Sequence, residues 1–133
     1  MKLYSFVDNH DVDRIASKLN VQGHIYPVHT LLFTLPGIPS IYYGSEFGVQ
    51  GRKEGGNDAP LRPKINLQEM KENMPDKNLY EWICTLGKIH KEQKALSEGT
   101  YQELLLTNRQ YAFARILGEE GVLVAVNNDE QEA

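Results

Sequence analysis

An α/β unit with a parallel strand pair, followed by an antiparallel β-meander, is the architecture this sequence predicts, and three observations carry the prediction. Two short apolar and aromatic runs, at residues 3–7 and 40–43, flank a largely apolar stretch from Ile25 to Leu35. A helical period of apolar residues returns at Leu79, Trp82, Ile83, Leu86 and Ile89. Beyond Gly99 the chain turns to β-rich runs separated by turn residues. A strand–helix–strand unit of this length is the sequence form of a parallel pair joined by a helical crossover. Apolar runs that do not alternate with polar residues suit strands covered on both faces.

The elements follow in order. Leu3-Tyr4-Ser5-Phe6-Val7 reads as a strand that ends where the acidic cluster from Asp8 to Asp13 begins. Residues 14–19 form a short helix-compatible segment. The stretch from Ile25 to Leu35 reads as a helix buried on most sides, with Pro27 in its first turn and Pro36-Gly37 as its stop. Ser40-Ile41-Tyr42-Tyr43 reads as the second strand, closed by Gly44. From Gly48 to Lys77 the chain is rich in Gly, Asn, Asp, Pro and charge, with no period. Aperiodic segments of that length usually line a site or move. The helix from Leu79 has Asn78 and Glu81 spaced as a capping box, and Lys88, Lys91 and Lys94 near its C-terminal end oppose the helix dipole. Three strands, at residues 101–107, 110–117 and 122–127, then form the meander, with Tyr111, Phe113 and Arg115 on one face.

Composition bounds the function. The 133 residues carry 14 Lys+Arg and 18 Asp+Glu, a net charge of 14 − 18 = −4. That length corresponds to one ordinary domain or part of a larger one. Apolar and charged fractions of 41% and 24% are those of a globular chain. The acidic balance argues against a basic nucleic-acid groove, and no run reaches the roughly 18 apolar residues of a membrane span. One cysteine excludes an internal disulfide framework and a thiolate-rich metal site. The N-terminal residues turn acidic too early for a signal peptide.

Asp8-Asn9-His10-Asp11-Val12-Asp13-Arg14 is the densest polar cluster, and it lies where a parallel strand would end. Ligands in α/β sheets bind outside the carboxyl ends of strands. Three readings of this cluster compete. His10 and Asp11 can hydrogen-bond the hydroxyls of a sugar or polyol, Asp11 adding negative charge near a developing cation. Asp8, His10, Asp11 and Asp13 can form a metal site, although the calcium-loop pattern is absent. The cluster can also be a solvated turn whose Asx side chains cap backbone groups. His24, His29 and His90 have no metal spacing and read as packed or surface residues, Cys84 as a small buried hydrophobe within its helix. The glycines at 48, 51, 55 and 56 do not fit a phosphate loop. Glu46 either faces the same end of the sheet as Asp11 or pairs with a basic neighbour.

Phe6-Val7-Asp8-Asn9-His10-Asp11 together with Leu35-Pro36-Gly37-Ile38-Pro39-Ser40-Ile41-Tyr42-Tyr43-Gly44-Ser45-Glu46-Phe47-Gly48 resembles the C-terminal part of the alpha-amylase family of glycoside hydrolases. Gly55-Gly56-Asn57-Asp58-Ala59-Pro60-Leu61-Arg62 is similar to the neopullulanase, cyclomaltodextrinase and maltogenic amylase branch. The resemblance covers essentially the whole chain. It implies a division into residues 1–98, the last two strands and helices of a (β/α)8 barrel, and residues 99–133, the first strands of an antiparallel β-domain. It further implies that Asp11 is the transition-state-stabilising aspartate, that His10 contacts the sugar beside the cleaved bond, and that Asp58 and Arg62 line the donor side of the cleft. Arg14 and Glu46 match supporting positions. Ser45 departs from the pattern, since the family usually carries an acid there.

In that family the nucleophile and general acid come from the fourth and fifth barrel strands, whereas this chain matches from the seventh. The resemblance therefore implies a fragment of a retaining glycosidase acting on maltooligosaccharides, starch-type α-1,4-glucans or cyclodextrins, inactive alone, with no nucleic-acid or membrane partner. Two of eight strands cannot close a barrel, so self-association or rearrangement is expected to cover the open edges. No cofactor is expected: calcium is a family habit, but no ligand set stands out here. The neopullulanase-like loop points by resemblance to the cytoplasm. A non-catalytic carbohydrate-binding or structural module on the same scaffold is the alternative reading. A family member with phosphorylase, isomerase or branching chemistry is a third.

Overall fold

The computed structural model describes residues 3–74 and 76–129. Two short strands, β1 (Tyr4–Ser5) and β2 (Ile38–Pro39), pair in parallel, with Tyr4 opposite Ile38 and Ser5 opposite Pro39. The Leu3 carbonyl accepts from Ile38 N–H at 2.7 Å and the Ser5 carbonyl from Ser40 N–H at 2.9 Å. Gly37 permits this approach: a Cβ there would lie 2.3 Å from Ser5 Oγ. The parallel crossover is as the sequence predicts, but the second strand lies earlier than residues 40–43. Ile41 to Tyr43 leave the ladder because the Tyr43 carbonyl and the Tyr42 ring turn to Arg14 instead.

Between the strands run α1 (Ile15–Lys18), a single 3-10 turn at Gln22–His24, and α2 (Ile25–Thr34). Pro27 sits in the first turn of α2, where its missing N–H costs nothing. Leu35 turns extended at ψ 157°, the conformation favoured before a proline, and ends the helix. Ile25, His29, Leu32, Phe33 and Thr34 are buried. The expectation of a helix covered on most sides holds for that face only. Val28 and Leu31 line an open apolar cavity of about 380 Å3 together with Phe6, Val7 and Leu35.

The segment from Gly48 to Lys77 is not wholly irregular. It holds a 3-10 turn at Ala59–Leu61 and α3 (Leu67–Glu72), capped by the Asn66 side chain, which accepts from Gln68 and Glu69 N–H. Because α3 buries none of its residues, it leaves no apolar period in the sequence. The long helix, α4 (Lys77–Glu92), is capped by Asp76, not Asn78: Asp76 Oδ1 accepts from Leu79 N–H at 3.1 Å, and Oδ2 accepts from the Tyr26 hydroxyl at 2.7 Å. Asn78 therefore falls inside the first turn. Leu79, Ile83 and Leu86 of α4 join Ala16, Ile25 and Phe33 as the core. Burial of each large side chain contributes about 1.5–3 kcal/mol. Cys84 is exposed, because its position on α4 points away from that face.

After α5 (Lys94–Glu98) come β3 (Thr100–Leu106), β4 (Gln110–Leu117) and β5 (Glu120–Asn127), an antiparallel sheet in the order β3-β4-β5. A register shift between Glu103 and Leu105 marks a bulge in β3. The sheet is joined to the helices by Arg115, which is 3% exposed. Its Nη1 donates to Thr34 O and its Nη2 to Gly99 O, both at 3.0 Å, so one side chain binds the end of α2 to the start of β3. Burial lowers the Arg115 pKa from its ordinary value. No helix among the described residues is long and apolar enough to cross a membrane.

Replacing Arg115 with Met keeps the apolar stem but leaves two carbonyls without this donor. Loss of about 2 kcal/mol is expected in urea unfolding; an unchanged midpoint would refute the tie. A second prediction concerns His29, fully buried, whose Nδ1–H donates to Ile25 O at 2.8 Å while Nε2 makes no hydrogen bond among the described residues. Burial pushes its pKa below the ordinary value, against the opposing pull of the Ile25 carbonyl and the Asp8 charge. The unfolded chain then binds a proton near pH 6.5 that the folded chain refuses, so stability falls as pH drops below about 6.5, by at most about 1.4 kcal/mol per pH unit. In His29→Gln that part of the slope disappears; an identical pH profile for the two proteins would contradict it.

Candidate functional site

The loop leaving β1 is shaped by its own side chains. Asn9 Oδ1 accepts from Asp11 N–H at 2.8 Å and Val12 N–H at 3.1 Å, an Asx turn. Asp8, 1% exposed, turns inward and accepts from Ile15 N–H at 2.9 Å at the start of α1. Asp13 Oδ1 accepts from Lys53 N–H at 2.7 Å. The turn reading thus describes Asp8, Asn9 and Asp13. His10 and Asp11 instead project outward, with 57% and 58% of their side chains exposed. Among the described residues, no group of three or more His, Cys, Asp or Glu side chains is placed to hold a metal ion.

Beneath the loop lies Arg14, with no exposed surface. Its Nε donates to Leu61 O at 3.0 Å, and its Nη1 to Tyr43 O at 2.8 Å and Ser45 Oγ at 3.3 Å. The guanidinium carbon lies 4.2 Å from the centroid of the Tyr42 ring and 5.2 Å from that of Tyr43. Ser45 Oγ in turn donates to the Asp8 carboxylate at 2.8 and 2.9 Å. At the position where an acid was expected, a hydroxyl therefore links a buried cation to a buried carboxylate. Among the described residues Glu46 forms no ion pair with a base; its Oε2 accepts from Gly44 N–H at 2.8 Å.

Above that base, two distant segments converge. Arg62 Nη2 lies 3.3 Å from Asp11 Oδ1 and 3.4 Å from Asp58 Oδ2. Its Nε donates to the His10 carbonyl at 3.2 Å. His10 Nε2 is 3.1 Å from Asp11 Oδ2, and the His10 and Tyr42 ring centroids are 6.4 Å apart. Asp58 is also met by Lys53, Nζ to Oδ1 at 2.9 Å. The Lys53 ammonium holds the Asp58 carboxyl below its ordinary pKa, and Asp58 raises that of Lys53. All four residues singled out in the sequence, His10, Asp11, Asp58 and Arg62, are in one cluster. It is a ledge with hydrogen-bonding groups of both kinds, not a closed pocket. An adjoining cavity of about 460 Å3, lined by Tyr43, Glu46, Phe47, Ile65 and Leu67, is bordered by Arg62 alone of these four.

Sequence reasoning passed over Lys53 and Tyr42. A signal for Lys53 was present in Gly55-Gly56. These residues take φ of +54° and +83°, and Glu54 and Asn57 pair across them, their backbone N–H and C=O groups bonding at 3.4 and 2.7 Å. A two-glycine turn of this kind folds the residues before it onto those after it. Tyr42 gave no such signal, since an aromatic residue in an apolar run reads equally as strand.

A family model described as "Alpha amylase, catalytic domain" matches residues 1–83, a span that holds the whole cluster. A cyclomaltodextrinase from Bacillus sp. is 30% identical over 130 residues, 96% of this chain and 22% of that protein. A cyclomaltodextrin glucanotransferase from Thermoanaerobacterium thermosulfurigenes is 32% identical over 130 residues, 96% of this chain and 16% of the relative. Among solved structures, the debranching enzyme from Nostoc punctiforme matches with a TM-score of 0.79 at 28% identity, covering 99% of this chain and 26% of that one. The chain thus spans less than a quarter of the length of these curated relatives. With its family model matched over residues 1–83, the chain belongs to the alpha-amylase catalytic-domain family.

Proposed function

We propose that this chain supplies part of the sugar cleft of a retaining glycoside hydrolase that acts on α-1,4-linked glucans or cyclodextrins. In this reading, residues 1–98 are the last two strands and helices of a (β/α)8 barrel, and residues 99–133 begin its β-domain. The apolar flank formed by Phe6, Val7, Val28 and Leu31 is then where neighbouring barrel elements pack. The supporting observation is the convergence of Asp11 and Asp58 on the one guanidinium of Arg62.

Asp11 stands out from the loop, its backbone fixed by Asn9 and its carboxylate oriented by Arg62 and His10. A carboxylate so held stabilises the positive charge that develops on the sugar ring, a contribution realised mainly in the transition state. His10 contacts the same sugar, with Tyr42 beside it. Asp58 and Arg62 hold hydroxyls of a ring further along the donor side. Asp58, like an ordinary aspartate, is ionised at neutral pH and is a poor proton donor there. The nucleophile and the general acid, which retaining enzymes hold about 5–5.5 Å apart, are assigned to residues outside these 133.

In a protein that joins this chain to such a pair, Asp11→Asn is expected to lower kcat on a cyclodextrin by at least about 10²–10³-fold, with KM changed little. Unaltered kcat would remove Asp11 from the chemistry. The 133-residue chain alone is expected to release no reducing sugar from cyclodextrin or maltoheptaose, and measurable turnover would overturn the assignment of roles.

A further inference from the structure

Lys53 has no part in the roles assigned above, yet the chain is built to put it on Asp58. Its backbone N–H is held by Asp13 Oδ1 at 2.7 Å. The turn at Gly55-Gly56 then brings residues 54 and 57 together, so that the Lys53 side chain folds back to reach Asp58 across the base of the hairpin. At 44% exposure the Lys53 side chain is neither a core residue nor loose in solvent. An exposed ion pair of this kind adds little to stability.

What the pair offers is hydrogen-bonding capacity. An ammonium has three donors, and that of Lys53 lies 2.9 Å from Asp58 Oδ1 as an ion pair. Asp58 Oδ1 is buried beside that ammonium, and Oδ2 takes one hydrogen bond, from Arg62 at 3.4 Å, which leaves it a second acceptor position. Spare donors on Lys53 Nζ and a spare acceptor position on Asp58 Oδ2 thus flank one buried oxygen. Adjacent hydroxyls on a pyranose ring have the complementary need, each donating one hydrogen bond and accepting others. We infer that Lys53 is a sugar-binding residue: its ammonium donates to one hydroxyl of a glucose ring while Asp58 accepts from the adjacent one. This deepens the glucan-binding reading given above and rests on it. Arg62 sets the far side of the same subsite, since it meets the other oxygen of Asp58.

The test is equilibrium binding by the 133-residue chain, followed by amide NMR during titration with maltoheptaose. Lys53→Met is expected to weaken binding about tenfold, the scale of one charge-assisted hydrogen bond, and Lys53→Arg to restore it to within about threefold. With a maltoheptaose analogue deoxygenated at C2 and C3, which lacks the two adjacent oxygens of the contact, the difference between wild type and Lys53→Met is expected to vanish, as a direct contact requires in a coupled cycle. Amide shifts outside residues 52–62 should be unchanged in the variants. Equal affinity of wild type and Lys53→Met for maltoheptaose would overturn the role of Lys53 and leave the cleft assignment standing. A Lys53→Met loss that persists with the deoxygenated sugar would also overturn it, as would failure of Lys53→Arg to recover binding. No binding by the wild-type chain would overturn the cleft assignment and this inference together.

Discussion

The ledge depends on a buried cation. Taking a guanidinium and a carboxylate out of water costs several kcal/mol per ion, and Arg14 and Asp8 are 0% and 1% exposed. The cost is offset by hydrogen bonds drawn from three separate segments. Leu61 and Tyr43 give carbonyls to Arg14, Ile15 gives an N–H to Asp8, and Ser45 stands between the two charges. Two tyrosine faces complete the enclosure. Such a cation fixes the relative positions of the loop after β1, the loop after β2, and the turn that leads to Arg62. The exposed groups above it inherit that geometry.

The order of construction also explains the short parallel ladder. β1 and β2 pair over only two residues each. Beyond them, both chains would gain from further ladder hydrogen bonds, yet both leave. Asp8 turns down to α1 and Tyr42-Tyr43 turn down to Arg14. The ladder yields to charge compensation because a lost backbone bond to water costs about 1 kcal/mol net, whereas an unpaired buried ion costs several. Rim geometry is therefore set by electrostatics beneath it, not by strand pairing.

Much of this was legible in the residues. α4 and the meander announce themselves because burial on one face imposes a period, which any sequence with a core must show. His10, Asp11, Asp58 and Arg62 were legible by resemblance, and they do lie together. The errors share a cause. The true extent of β2, the Asp76 cap and the fold-back of Lys53 each follow from a partner distant in sequence: Arg14 for Tyr42-Tyr43, Tyr26 for Asp76, Asp58 across its hairpin for Lys53. Local pattern has no access to such partners. Cys84 is a lesser matter: residue type alone suggests a small inward-facing hydrophobe, whereas the face defined by Leu79, Ile83 and Leu86 leaves position 84 outside.

The ion pairs on the ledge pose a separate question, because they contribute little to the fold. Their side chains are 29–58% exposed, and pairs of that kind are typically worth about 0–1 kcal/mol. Five such groups in one chain of contacts are therefore not explained by stability. What they share is a fixed position and unspent hydrogen bonds, held by backbone that the Asx turn at Asn9 and the hairpin at Gly55-Gly56 have already ordered. A ligand with many hydroxyls gains from that arrangement, since each hydroxyl can replace a water at a group whose orientation is already set, with little further entropy to lose. In the proposed sugar cleft the weak pairing is the useful property: it is strong enough to orient the groups and weak enough to yield a hydrogen bond to a sugar.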